Sequence, residues 1–218
     1  MSSPSGRLIY ASSERSADLL YLTGFMVPDP VLWLAVGRSQ FLVVGALEIG
    51  RARTEAASHI EVLSQAQARE QWGLRKRKNL TATDYILAAA RHFGVSRWTV
   101  PGDFPFGLAH TLAESGLELV PAKVFCPGRA LKTEDEVAAI RDGVRLAEKG
   151  LKHALEILGQ AAIGSDSMLS WQGTPLTAEI LRGEINAGIA RLGGTAEHTI
   201  AAPGIQSADP HQVGTGPI

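Results

Sequence analysis

The side chain in this sequence best placed to do chemistry is His211. It follows Asp209-Pro210 and precedes Gly214 and Gly216. Proline fixes its own φ and restricts the residue before it, so Asp209-Pro210 sets a rigid turn. The glycines leave room for a ligand beside the backbone. An imidazole presented in this way can relay a proton, or donate a hydrogen bond to a carbonyl or a developing oxyanion. The plainer alternative is a loop histidine that touches nothing, and the local residues by themselves favour that alternative.

The remaining chemistry-bearing residues offer less. Cys126 is the one cysteine. That excludes an internal disulfide and a multi-cysteine zinc site, and its apolar neighbours point to an inert buried thiol. Ser165-Asp166-Ser167 lacks a nearby base and reads as loop chemistry. Arg75-Lys76-Arg77-Lys78 can attract an anion, but it is short, has no interleaved aromatic, and reads as a solvated loop or helix end. Asn79-Leu80-Thr81 matches a glycosylation sequon and reads better as a helix start. Gly204 and the Gly214/Gly216 pair lack the spacing of a phosphate-cradling loop.

The length of 218 residues suggests one or two domains, and 45% hydrophobic residues suffice for a core. With 21 basic and 22 acidic residues the net charge is −1, so neither nucleic acid nor an anionic membrane is an expected partner. The sequence opens on no charged-then-apolar leader, and no apolar run reaches about 18 residues. A soluble cytoplasmic protein is the expectation.

The elements that must position these residues follow from periodicity and punctuation. Met1–Gly6 reads as a loose polar start. Leu8–Tyr10 reads as a strand, and Ser13–Tyr21 as a helix with Ala17, Leu20 and Tyr21 inward, ended by Gly24. Val31–Val36 and Phe41–Val44 are apolar strands joined by a hairpin-like turn at Gly37–Gln40. Glu48–Ala57 reads as a helix and Ile60–Leu63 as a strand. Thr81-Ala-Thr-Asp84 resembles a capping box for a helix ending at Gly94. Trp98–Val100 and Leu117–Val120 are strands flanking a helix at Phe106–Glu114. This alternation predicts an α/β domain with a mixed sheet and flanking helices.

Beyond Phe125-Cys-Pro-Gly128 the pattern changes. Thr133 and Glu136 form a capping box. Val137, Ile140, Val144, Ala147, Leu151, Leu155 and Leu158 then predict one long helix with a single buried stripe. A polar connection, Gly159–Gly173, leads to a second helix capped by Thr177, with Ile180, Ile185 and Ile189 inward and Gly193-Gly194 at its end. Thr199–Ala201 reads as a strand broken by Pro203-Gly204, and His211 is expected on a further strand edge.

Four segments together carry a resemblance. Tyr21-Leu-Thr-Gly-Phe25 resembles the signature of creatinase-type N-terminal domains. Arg129–Glu136 with Ile140-Arg141 resembles the entry helix of the pita-bread catalytic domain. Pro175-Leu-Thr-Ala-Glu179 with Ile180 and Ile185 is similar to that domain's second helix. Ala202-Pro-Gly204 with Asp209-Pro-His211, Gly214 and Gly216-Pro217 resembles its first sheet segment. The chain thus resembles Xaa-Pro aminopeptidases, Xaa-Pro dipeptidases (prolidases) and creatinase. The resemblance implies a creatinase-like N-terminal domain over 1–127 and the first, incomplete part of an α+β pita-bread domain over 128–218.

It also implies hydrolysis of Xaa-Pro bonds at peptide N-termini by two divalent metal ions, manganese or else cobalt or zinc, held by two Asp, one His and two Glu. His211 matches the histidine on the substrate side of that site, and in creatinase the matching residue transfers a proton. The first metal-binding Asp of the family follows the segment that matches Gly214–Ile218. None of residues 1–218 is therefore expected to be a metal ligand, Asp209 included, and the chain by itself is expected to be inactive. The implied partners are a small peptide with proline at its second position and a second subunit. The strands Val31–Val36 and Phe41–Val44 are either surface for that association or core. A creatinase-like C–N hydrolase, a lyase on the same fold, and a catalytically silent dimerising or binding relative are the alternatives.

Overall fold

A computed structural model describes residues 5–75 and 79–218. Lys76, Arg77 and Lys78, most of the basic run, and the first four residues of the polar start lie outside the described residues. The chain divides into two compact units, Met1–Leu131 and Lys132–Ile218.

The first unit is built on six strands: β1 (Ser5–Ala11), β2 (Val31–Val36), β3 (Ser39–Val44), β4 (Glu61–Ser64), β5 (Arg97–Pro101) and β6 (Glu118–Ala122). They lie in the order β4-β3-β2-β1-β5-β6. The β1–β2–β3 meander is antiparallel, while β4 joins β3, β5 joins β1 and β6 joins β5, all in parallel. The mixed sheet with flanking helices is as the sequence predicts. Ser5 and Gly6, read as part of a loose start, already belong to β1.

Period-2 alternation sends neighbouring side chains to opposite faces, so β1, β2 and β3 feed two cores. Leu8, Leu32, Leu34, Phe41, Val43 and Trp98 face one way. They meet Ala68 of α3 (Gln65–Gln71), Tyr85, Ile86 and Ala89 of α4 (Ala82–Phe93), and Leu112 of α5 (Phe106–Glu114). Ile9, Val31, Trp33, Leu42 and Val44 face the other way, toward Leu19 of α1 (Ala17–Thr23), Ala52 of α2 (Ile49–Glu55), Phe125 and Cys126. The strands β2 and β3 are therefore core, not surface offered to a second subunit. Gly6 is required where it stands: a Cβ there would lie 2.5 Å from the ring of Trp98.

Local signals explain the helix ends. Thr81 accepts from the N–H of Asp84, and the Asp84 carboxylate accepts in return from the N–H of Thr81. Gly24 and Gly94 close α1 and α4 in the left-handed conformation. The inward face of α1 differs from the expected one. Leu19 and Thr23 are buried, while Ala17 and Tyr21 are exposed. The helix starts at Ala17, not Ser13, and the Thr23 hydroxyl donates to the carbonyl of Leu19 at 2.8 Å, so a polar residue can line the core. Cys126 is buried beside Arg7, and burial pushes its thiol pKa up, which keeps it inert.

The second unit contains α6 (Glu134–Gln160), α7 (Ala178–Arg191) and a small antiparallel sheet of β7 (Ala162–Ile163), β8 (Leu169–Trp171) and β9 (Thr174–Pro175). The sheet occupies the stretch read as a polar connection. The capping boxes and caps fall as predicted, with Thr133 on Glu136 and Thr177 on Ile180.

The buried stripe of α6 does not. Gly150, Ala154 and Ile157 are buried. Ile140, Val144, Leu151 and Leu155 are 54%, 52%, 61% and 59% exposed, and Ala147 is exposed as well. Close approach decides the face. Gly150 lets α7 come so near that a Cβ there would sit 2.8 Å from Ile189 Cδ1. Small residues allow that distance, whereas the Leu/Ile/Val stripe would hold the helices apart. On α7, Leu181 is buried in place of Ile180.

Candidate functional site

The candidate site is the loop that carries His211, within residues 198–218 of the second unit. The strand expected at Thr199–Ala201 is absent. His198 takes a left-handed φ of 55°, and the Thr199 hydroxyl bonds to Asn186 at 2.7 Å, which diverts the backbone from a pleated course. After Pro203 the chain makes one 3₁₀ turn, Gly204–Ala208. His211 does not lie on a strand edge. It sits in the turn itself, where its N–H donates to Asp209 Oδ1 at 3.0 Å. Asp209 thus acts as the cap of its own turn.

Side chains from α7 and from within the loop hold this excursion closed. Gln206 Nε2 donates to the carbonyl of Thr215, and the N–H of Thr215 donates to Gln206 Oε1, both at 2.9 Å. Arg182 donates from Nη1 to the carbonyls of Val213 and Gly214 at 2.9 and 2.6 Å. The Glu179 carboxylate accepts from the N–H of Gly216 at 3.1 and 3.2 Å. Hydrogen bonds from its own backbone N–H, from Thr177 and from Gly216 hold the Glu179 carboxyl below the usual carboxylate range. Beyond the loop, the N–H of Ala178 donates to the carbonyl of Gly216, and that of Ile218 to Leu176.

Gly214 has a different role from the one its position suggests. It is buried, with φ of 89°, and a Cβ would lie 2.0 Å from the carbonyl oxygen of Ala201. It lets the loop close on itself, and its free face is taken by protein, not left open to a ligand. Gly216, at φ of 79°, has open space where a Cβ would point.

His211 is exposed, and among the described residues no hydrogen bond or ion pair engages its ring. A ring fixed at its backbone and free at both nitrogens can meet an incoming carbonyl or oxyanion. Glu179, Arg182 and Gln206 were missed as loop-holding residues. Glu179 and Arg182 are three apart on one helix and so share a face, which is the signal that pointed to a joint partner.

Among the described residues no group of three or more His, Cys, Asp or Glu forms a metal-ligating cluster. Among the same residues no helix is long and apolar enough to cross a membrane.

No family model and no curated protein sequence matches this chain. Solved structures do. The prolidase from Pyrococcus furiosus superposes with a TM-score of 0.68 at 17% identity, over 98% of this chain and 54% of its own. The Xaa-Pro dipeptidase from Bacillus anthracis gives 0.70 at 15%, over 97% and 51%. The X-Pro aminopeptidase from Thermotoga maritima gives 0.71 at 14%, over 97% and 55%. The chain spans about half the length of these structures. Its fold is that of the Xaa-Pro peptidases, and its mixed sheet with flanking helices matches their N-terminal domains.

Proposed function

We propose that this chain is the amino-terminal part of a cytoplasmic, metal-dependent peptidase that hydrolyses Xaa-Pro bonds at peptide N-termini. The observation that carries the reading is the superposition of 97–98% of the chain on prolidase, Xaa-Pro dipeptidase and X-Pro aminopeptidase structures. The whole enzyme would use two divalent metal ions, manganese or else cobalt or zinc, with ligands supplied from outside residues 1–218, and would act as a homodimer. A carboxylate-rich two-metal site supplies an activated water and polarises the scissile carbonyl.

His211 is the contribution of this chain to the chemistry. The Asp209-Pro210 turn aims its backbone, and the Gln206, Arg182 and Glu179 contacts keep the loop from yielding. The free imidazole orients the substrate carbonyl or stabilises the oxyanion formed from it.

The test is His211→Ala in the complete enzyme, assayed with manganese on a panel of Xaa-Pro dipeptides and tripeptides. A fall in kcat/KM of about 10²–10³ with metal content unchanged is expected, the usual effect of losing one oxyanion donor. Unchanged activity would make His211 a plain loop residue, and loss of a metal ion would make it a ligand. Creatine is the control substrate, and its turnover without metal would replace the peptidase reading by C–N hydrolysis of the creatinase type.

A further inference from the structure

The first unit holds a cavity of its own. A cavity of about 610 Å³ opens at the carboxyl ends of β1 and β5, lined by Tyr10 and Ala11 on one strand and Pro101 on the other. These strands are parallel neighbours. The chain leaves them toward opposite faces of the sheet. From β1 it passes to α1, whose Leu19 packs in one core, and from β5 to α5, whose Leu112 packs in the other. Where adjacent parallel strands send their connections to opposite faces, the two loops part and leave a crevice. Such crevices are where open α/β sheets bind ligands.

Acidic, basic and apolar side chains surround this crevice, with the hydroxyls of Tyr10, Ser12 and Ser16. The β1–α1 loop brings Glu14 and Arg15, and the β5–α5 loop brings Asp103 and Phe104. Phe104, Pro30 and Pro101 give it an apolar wall. No hydrogen bond or ion pair among the described residues engages the side chains of Glu14, Arg15 or Asp103. All three are exposed, so their charged ends are open to a molecule that enters the crevice. Two carboxylates and one guanidinium, unpaired around an apolar wall, match a molecule that carries an ammonium, a carboxylate and an apolar body.

We propose that this crevice binds a small zwitterion with an apolar side chain, a free amino acid or a short peptide with free termini. Arg15 takes the carboxylate, Glu14 and Asp103 take the ammonium, and Phe104 with the prolines takes the side chain. The site belongs to the first unit and does not rest on the peptidase reading.

The experiment titrates the 218-residue chain with L-leucine, with L-leucyl-L-alanine and with N-acetyl-L-leucinamide, which lacks both charges, while following backbone amide shifts by NMR. Saturable shifts at Ser12–Ser16 and at Asp103 and Phe104 are expected with one or both charged probes. The one that binds more tightly identifies the source as amino acid or peptide. Arg15→Met and Asp103→Asn should each weaken binding roughly two- to fivefold, the worth of one exposed ion pair. Both positions are exposed, so the variants should keep the wild-type spectrum elsewhere. No saturation by either charged probe would overturn the proposal. So would equal binding of the capped amide, or variants that bind as the wild type does.

Discussion

Gln206 and Thr215 face each other as a closed pair, the amide of one giving and taking a hydrogen bond with the backbone of the other, both at 2.9 Å. The pair staples the two ends of the His211 loop together, much as a strand pair would, but with a side chain in place of one backbone. Gln206→Ala should therefore leave the second unit folded while opening the loop. Hydrogen exchange at the Thr215 amide should speed up by about tenfold, the equivalent of one lost hydrogen bond, while amides inside α7 keep their protection. Unchanged exchange at Thr215 would mean that something other than Gln206 holds the loop.

Glu179 makes this closure pH-dependent. Its carboxyl titrates below the usual range, chiefly through its own backbone N–H, then through Thr177 and Gly216. A depressed carboxylate contributes stability that is present above its unfolded pKa and is lost as pH falls through the folded one. Wild type should thus exceed Glu179→Gln in denaturant midpoint at pH 7, and the difference should shrink as pH falls below the usual carboxylate range. A difference that does not change as pH falls would point to the shape of the side chain, not its charge.

On α6, two apolar residues of similar size should behave oppositely. Ile157 is 2% exposed and Leu151 is 61% exposed. Ile157→Ala should cost about 2–5 kcal/mol by transfer and cavity formation. Leu151→Ala should move stability by no more than about 0.5 kcal/mol. Equal costs would mean that the exposed stripe is covered in solution.

The α6 start gives a fourth check. Thr133 accepts from the N–H of Glu136 at 3.2 Å, and the Glu136 carboxylate accepts from the N–H of Thr133 at 2.8 Å. Thr133→Ala should lower stability by about 1 kcal/mol in denaturant titration, the usual worth of an N-cap.

Much of the first unit was legible because its signals are local. A capping box at Thr81, left-handed glycines at 24 and 94, and the alternation of Leu8 with Ile9 or of Leu32 with Trp33 each act within a few residues. The second unit was less legible because its packing is decided at a distance. Nothing near Gly150 in the sequence announces Ile189, so the face that α6 buries was assigned by hydrophobicity, whereas helix approach chose the small residues. The site divides in the same way. The Asp209-Pro210 turn could be read from two residues, but Gln206, Arg182 and Glu179 meet the loop only in three dimensions. Gly214 was taken for open space for the same reason: the backbone of Ala201 that fills it lies across the loop.

The place of β1 in the middle of its sheet also bears on how the chain is made. On leaving the ribosome β1 can pair at once with β2, across a short span. Its other edge waits for β5, since Ser5 pairs with Arg97, roughly ninety residues later. Until then the growing chain has only four of the six strands, the edge of β1 has no partner, and Trp98, which fills the space left by Gly6, has yet to appear. Completion of the sheet, and of the core around Trp98, therefore waits on β5. An interruption of synthesis before that strand would release a polypeptide prone to pair edge to edge with its own kind.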